Sequence, residues 1–155
     1  MKKLTAVIAG LFCAALLVSC GTQNVTVTGA DPAEIAAVLN ESVNFSEELT
    51  EVSENVLLRR YGLDSDTVKA AAGYAGTPAV VDEIAVFKTD DIEAVEEAAN
   101  ARIESQKTNY ASYAPDEVPK LEDAAVNVLG DCVIVCVSND TSAVVTDILS
   151  TFAEN

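Results

Sequence analysis

Histidine and tryptophan are absent from this 155-residue sequence, and basic residues are scarce, with 9 Lys and Arg against 25 Asp and Glu. Without an imidazole the chain cannot use a Ser-His-Asp or Cys-His nucleophile, a histidine metal site or a histidine pH switch. The formal net charge of −16 repels nucleic-acid phosphates, whose binding depends largely on Lys and Arg. The composition therefore excludes much enzyme chemistry and predicts no nucleic-acid partner, and the length predicts one modest domain.

Charge is also missing from a stretch near the N-terminus. Lys2 and Lys3 precede the 15 residues 4–18, which carry no charge and include only one polar residue, Thr5. This arrangement is typical of a signal peptide. It is shorter than the about 20 apolar residues that span a bilayer, and polar sequence begins directly after Ser19. We therefore predict that residues 1–19 are a signal peptide that is removed.

The apolar stretch ends in Leu17-Val18-Ser19-Cys20, which resembles the bacterial lipobox. In that motif a small residue precedes a cysteine that carries acyl chains, such as palmitate, and becomes the mature N-terminus. The resemblance implies a lipid anchor on Cys20 and a location at the cell membrane, on its extracytoplasmic face. The alternative is an ordinary secretory signal in which Cys20 is incidental.

Removal of residues 1–19 leaves 7 basic residues against 25 acidic ones, which gives a formal net charge of −18. An anionic membrane surface repels such an acidic body, and its attachment therefore depends on the acyl chains. We expect residues 20–30 to be the lipidated cysteine and a flexible tether. Residues 31–155 are expected to form a single α+β domain.

Apolar periodicity predicts most of the secondary structure of this domain. Asp31-Pro32-Ala33-Glu34 is a strong helix start, whereas residues 46–75 give only a weak helical indication around Arg59-Arg60. The patterns then predict a strand, a long amphipathic helix, two strands joined at Gly130-Asp131, and a last helix capped by Asn139 or Asp140. The strand, the long helix and the paired strands are expected at residues 79–88, 90–110, 124–129 and 132–137.

The order strand, helix, strand, strand, helix predicts an α+β fold. A helical crossover followed by a hairpin places the third strand antiparallel between the first two. We therefore predict a two-layer sandwich. It has a small antiparallel three-stranded sheet with both of these helices on one face, and N-terminal helices are added to it.

Two cysteines, Cys132 and Cys136, remain in the domain once the signal peptide and Cys20 are accounted for. On a strand their side chains share one face and lie about 13 Å apart, which is beyond the reach of a disulfide. We predict that both are reduced, buried and structurally equivalent to small apolar residues.

A set of short motifs lies in the second half of the chain. Its members are Glu83-Ile84-Ala85-Val86-Phe87-Lys88, Arg102 with Gln106 and Tyr110, Tyr113-Ala114-Pro115-Asp116-Glu117, Lys120-Leu121, and the Gly130 turn before Ser138-Asn139-Asp140. Together they resemble the family called domain of unknown function 4358, over about residues 39–152. The resemblance implies a small bacterial lipoprotein, mainly of clostridia, with no assigned activity. Cys132 departs from the aromatic residue expected after the hairpin glycine.

Five polar or aromatic residues form the candidate ligand or partner patch. Arg102, Gln106 and Tyr110 are spaced four apart on one helix edge, and Tyr113 and Lys120 follow its C-terminal end. Such groups together suit an anionic or peptide ligand. The alternative is that Gln106 and Tyr110 border the buried face of the helix while Arg102 pairs with a carboxylate.

Carboxylates are dense at the start of the long helix, where they invite a metal or acid-base interpretation. The helix dipole alone explains Asp90, Asp91, Glu93, Glu96 and Glu97, and no nucleophile motif accompanies them. We therefore predict no catalytic residue, metal site or cofactor.

The predicted function is a membrane-anchored, non-catalytic binding or interaction module of the cell envelope. It would scaffold an envelope complex or hold a peptide or glycan. A carboxylate-dependent envelope hydrolase is the alternative. A small solute-capture lipoprotein is a third interpretation, disfavoured because 136 residues after cleavage are few for two lobes that close on a solute.

Replacement of Cys20 by Ser is expected to abolish lipidation and to leave the precursor uncleaved, because the Cys20 thiol is the predicted acylation site. Labelling of cells with a radioactive fatty acid measures the effect. The Cys13→Ser variant is the matched control and should keep the label, because Cys13 lies inside the removed segment. Wild-type labelling of the Cys20→Ser protein would show that the lipobox prediction is wrong.

Overall fold

The computed structural model describes residues 31–152. The predicted signal peptide, Cys20 and the predicted tether lie outside the described residues. The described part contains five α-helices, one short 3₁₀ helix and five strands. In chain order they are α1 (Pro32–Ser42), β1 (Thr50–Glu51), α2 (Glu54–Tyr61), β2 (Val68–Ala75), β3 (Glu83–Thr89), α3 (Ile92–Tyr113), the 3₁₀ helix (Pro115–Glu117), α4 (Val118–Glu122), β4 (Ala125–Leu129), β5 (Cys132–Val137) and α5 (Ser142–Ser150).

The strands form one antiparallel sheet in the order β1-β2-β3-β5-β4. β5 lies between β3 and β4, which confirms the predicted position of the third strand. β1 and β2 extend the sheet on the other side of β3, and the predicted three-stranded sheet is therefore corrected to five strands. β2 contains four alanines and one glycine, residues that rarely favour strands, and no alternating pattern marks it in the sequence.

The helices cover both faces of this sheet, which corrects the predicted two-layer sandwich with helices on one face. Ile84 and Val86 of β3 pack in one apolar cluster with α1 and α5. Ala85 and Phe87 pack in a second cluster with α2 and α3. Successive strand residues point to opposite faces, and both faces of β3 and β5 are apolar. Each face therefore needs a helical cover.

Most of the predicted element boundaries agree with the structure. Asp31 caps α1 and accepts a hydrogen bond from the Ala33 amide at 2.9 Å, and the β4–β5 turn places Gly130 at a φ of 60°. The predicted cap of α5 is wrong, because Thr141 occupies the N-cap position. The Asp140 carboxylate instead accepts a hydrogen bond from the Asn44 amide at 2.8 Å.

Among the helices of residues 31–152, none combines the length and the apolar character that crossing a membrane requires.

Cys132 and Cys136 are buried on β5, and neither forms a disulfide with another described residue. Both belong to the apolar cluster that α1 and α5 cover. Burial disfavours a thiolate and raises the pKa of Cys132 to about 11 and that of Cys136 to about 12. The prediction of two buried thiols that do not form a disulfide with each other is confirmed.

Both thiols are expected to react with a thiol reagent at neutral pH only after unfolding, because they are inaccessible and almost entirely protonated. Thiol counting on the chain truncated to residues 21–155, which contains no other cysteine, measures this difference before and after addition of denaturant. A Cys132–Cys136 disulfide detected by mass spectrometry would contradict the position of both residues on β5.

Candidate functional site

Glu83, at the start of the central strand β3, is a buried carboxylate that receives hydrogen bonds from two helices. Its Oε1 accepts from the Tyr61 hydroxyl at 2.6 Å and from Arg102 Nε at 2.9 Å. Its Oε2 accepts from Arg102 Nη2 at 2.5 Å and from Arg60 Nη1 at 3.3 Å. Only 7% of the Glu83 side chain is exposed. The charge of this carboxylate is therefore balanced inside the protein and not by water.

The backbone of α2 and the rings beside it determine how these donors meet Glu83. α2 ends at Gly62, which adopts a left-handed φ of 66°, and this places Arg60 and Tyr61 in its last turn. The Tyr61 ring packs edge-on against Phe87, with centroids 4.7 Å apart. The Arg102 guanidinium lies 5.0 Å from the centre of the Tyr61 ring, a geometry that favours a cation–π interaction.

Asp82 forms a second cluster directly beside Glu83 in the chain. Its carboxylate accepts from the Ser46 amide at 2.6 Å and from Lys120 Nζ at 3.1 Å. Lys120 also donates to the Glu117 carboxylate at 2.9 Å, which in turn accepts from the Val81 amide at 3.0 Å. These bonds tie α4 and the 3₁₀ helix to the segment that enters β3.

Electrostatics keeps Arg102 and Lys120 charged. Burial alone would lower the pKa of Arg102, but the hydrogen bonds and charge of Glu83 outweigh it and raise that pKa. For Lys120, burial is the largest single influence and lowers the pKa, but the hydrogen bonds and charges of Glu117 and Asp82 together outweigh it and raise that pKa. Burial and the Glu83 charge raise the pKa of Tyr61 well above its usual range. Tyr61 therefore remains a hydrogen-bond donor to Glu83 at neutral pH.

The loop between β2 and β3 is held by hydrogen bonds at both of its ends. The Gly76 amide donates to the Asp82 carbonyl at 3.0 Å. The Tyr110 hydroxyl lies 2.8 Å from the Val80 carbonyl and 3.1 Å from the Pro78 carbonyl. A side chain at position 76 would meet a Val80 methyl group at 2.6 Å, and the loop is therefore built around glycine there.

A cavity of about 250 Å³ lies between this loop, the end of α2 and the middle of α3. A second, more open cavity of about 550 Å³ adjoins it, and Arg60 and residues 75–77 line both. Polar and charged side chains form much of the wall of the first cavity. The side chains and loop residues that line it are Arg60, Ala75, Gly76, Thr77, Pro78, Val80, Val81, Asp82, Glu83, Arg102, Gln106 and Tyr110.

The structure brings Arg102, Gln106 and Tyr110 together at the first cavity. Tyr113 is 61% exposed; its ring lies 4.8 Å from that of Tyr110, outside the residues that line the cavity. Lys120 is not a lining residue, but it pairs at 3.1 Å with Asp82, which lines the cavity. Three of the five residues therefore line the cavity, and the other two contact residues of its lining. Arg102 pairs with a buried carboxylate, as the alternative interpretation has it.

This site also contains Arg60, Tyr61 and the Asp82-Glu83 pair, which were not predicted as parts of it. Two signals point to them in the sequence. The first is a pair of acidic residues at the entry to an apolar strand, where isolated charge is unfavourable. The second is Arg59-Arg60 in a chain with few cations.

The acidic residues at the start of α3 have structural roles. Asp91 caps the helix by accepting from the Ala94 amide at 3.1 Å, and Asp90 forms an ion pair with Lys69. Within residues 31–152, no group of three or more metal-ligating side chains is placed to hold a metal ion.

This architecture defines an α+β domain with helices on both faces of an antiparallel sheet and a polar cavity beside β3. The model of the family described as "Domain of unknown function (DUF4358)" matches residues 41–138, which is more than half of the chain. The chain therefore belongs to this family. The match includes both carboxylate clusters and the whole lining of the first cavity. No curated protein and no solved structure matches the chain.

Replacement of Arg102 by Ala is expected to lower the free energy of unfolding by roughly 3–5 kcal/mol, because it leaves the buried Glu83 charge without its main partner. Urea denaturation of the chain truncated to residues 21–155 measures the loss. Lys107→Ala on the same helix is the matched control, since Lys107 pairs with the exposed Glu104 and its removal should change stability by about 0.5 kcal/mol or less. Equal stability losses in both variants would contradict a dominant role for the Glu83–Arg102 pair.

Proposed function

We propose that this protein is a lipid-anchored, non-catalytic binding module of the bacterial cell envelope. Cys20 attaches it to the extracytoplasmic face of the membrane, and the cavity beside β3 holds part of an envelope protein, a peptide or a glycan. The lipobox resemblance supports the anchor. The family resemblance supports an origin among small clostridial lipoproteins.

The non-catalytic assignment is based on the hydrogen bonds that already occupy the carboxylates of Glu83 and Asp82. A carboxylate has about four acceptor positions on its two oxygens, and Glu83 accepts four hydrogen bonds from protein donors. Asp82 is held by Lys120 and a backbone amide. A general base needs an oxygen that can reach a substrate proton. The arrangement therefore supports binding over carboxylate-dependent hydrolysis.

The Gln106 amide is available to a ligand at this cavity. Its side chain is half-buried and lines the first cavity, and no group within residues 31–152 hydrogen-bonds it. The neighbouring loop is already fixed by Tyr110 and Gly76. The β2–β3 loop therefore does not have to become ordered when a polar ligand binds. This reduces the entropy lost on binding.

Gln106→Leu should reduce partner capture by about tenfold or more, because it keeps the side-chain size and removes the amide hydrogen bonds. The test uses the full chain extracted from membranes in mild detergent, with partners quantified by mass spectrometry. Lys107→Ala, the next residue on α3 and outside the cavity lining, should capture the wild-type amount. A partner set that is identical for wild type and both variants would contradict binding at this cavity, and cleavage of a captured partner would support the hydrolase instead.

A further inference from the structure

We propose that the cavity binds a ligand carboxylate through Arg60, with Gln106 as a second hydrogen-bond donor. This inference rests on the proposed binding function and specifies the chemistry of the ligand. The group recognised is a singly charged carboxylate, from either the C-terminus of a peptide or an acidic side chain.

The balance of charge around Glu83 is the first reason. Arg102 already pairs with both oxygens of this carboxylate, at 2.9 and 2.5 Å. Arg60 adds a second guanidinium, which makes a single, longer contact at 3.3 Å. Two positive charges thus face one negative charge, and Arg60 supplies the surplus. In the neighbouring cluster the balance is reversed, because Lys120 pairs with two carboxylates, those of Asp82 and Glu117.

The position of Arg60 is the second reason. Its side chain is 36% exposed and lines both cavities, and it is therefore open to a ligand in either one. A guanidinium has five N–H donors in a fork that matches a carboxylate. Within the described part of the chain, only one of these donors has a hydrogen-bond partner. The others remain for a ligand.

The acidic residues nearby favour a monoanion over a phosphate dianion. Asp82 lines the first cavity, and Glu48 and Glu51 line the second, and each of them repels added negative charge. One carboxylate matches the single positive charge of Arg60, whereas a phosphate dianion would exceed it. For the same reason, we expect a free carboxylate to bind more tightly than its neutral amide, which has no charge to pair with Arg60.

The test measures binding of N-acetyl-trialanine to the full-length lipidated chain in mild detergent by isothermal titration calorimetry. The peptide acid is compared with its C-terminal amide and with inorganic phosphate. We expect the acid to bind at least about tenfold more tightly than the amide or phosphate, because a charge-assisted hydrogen bond is lost in the amide. An aspartate side chain in an otherwise amidated peptide distinguishes the two sources of carboxylate.

Arg60→Gln should weaken binding of the peptide acid by about tenfold or more, while Arg59→Gln should leave it unchanged. Arg59 is the matched control because it is the adjacent exposed residue of the same helix and lines neither cavity. Thermal melting of both variants checks that they are folded. Arg60→Lys keeps the charge without the fork and should bind with intermediate affinity.

Three results would overturn the inference. They are equal affinity for the acid and the amide, unchanged affinity in a folded Arg60→Gln protein, and no binding of either carboxylate peptide at up to about 10 mM, a concentration at which even weak sites fill. Failure of the proposed function is distinguishable from these results. A partner lost with Gln106→Leu but retained with Arg60→Gln would leave the binding function in place and reject the carboxylate.

Discussion

The buried charge of Glu83 is the constraint on which the geometry of the site depends. Removal of a carboxylate from water costs several kcal/mol unless partners replace the lost solvation. Those partners come from different parts of the chain, since Arg60 and Tyr61 end α2 while Arg102 lies in the middle of α3. One charge therefore fixes two helices against the entry of β3 and determines the shape of the cavity between them.

Asp82 extends the same principle to the neighbouring elements. Its bonds to Lys120 and to the Ser46 amide connect α4 and the segment after α1 to the β2–β3 loop. Three of the seven basic residues that follow Cys20 thus contact one acidic dipeptide. The rest of the domain is strongly acidic, and this cavity is a local exception in which cations balance the carboxylates.

The sequence predicted the elements whose pattern is local. Helix α3, the β4–β5 hairpin and the start of α1 all follow from caps, a turn glycine and apolar spacing within one segment. β2 was missed because its alanines carry little strand preference. The two-sided helical cover was missed because an apolar strand shows that both faces are buried without showing which helix covers each. The continuous apolar run Cys132–Val137 was the available signal, and it indicates a strand buried on both sides.

The residues of α3 at the site were predictable, but their partners in other elements were not, because local spacing again carries no long-range information. Helical spacing groups Arg102, Gln106 and Tyr110, but it carries no information about a partner 19 residues away in a strand. The excess of acidic over basic residues indicates only that Arg102 has many carboxylates with which it can pair. A buried ion pair is often no more stabilising than apolar residues of the same size, and stability alone does not explain three cations at this one place. Their concentration at Asp82 and Glu83 is consistent with the binding proposed for this cavity, where Arg60 makes one contact with Glu83 and keeps further N–H donors that no described residue occupies.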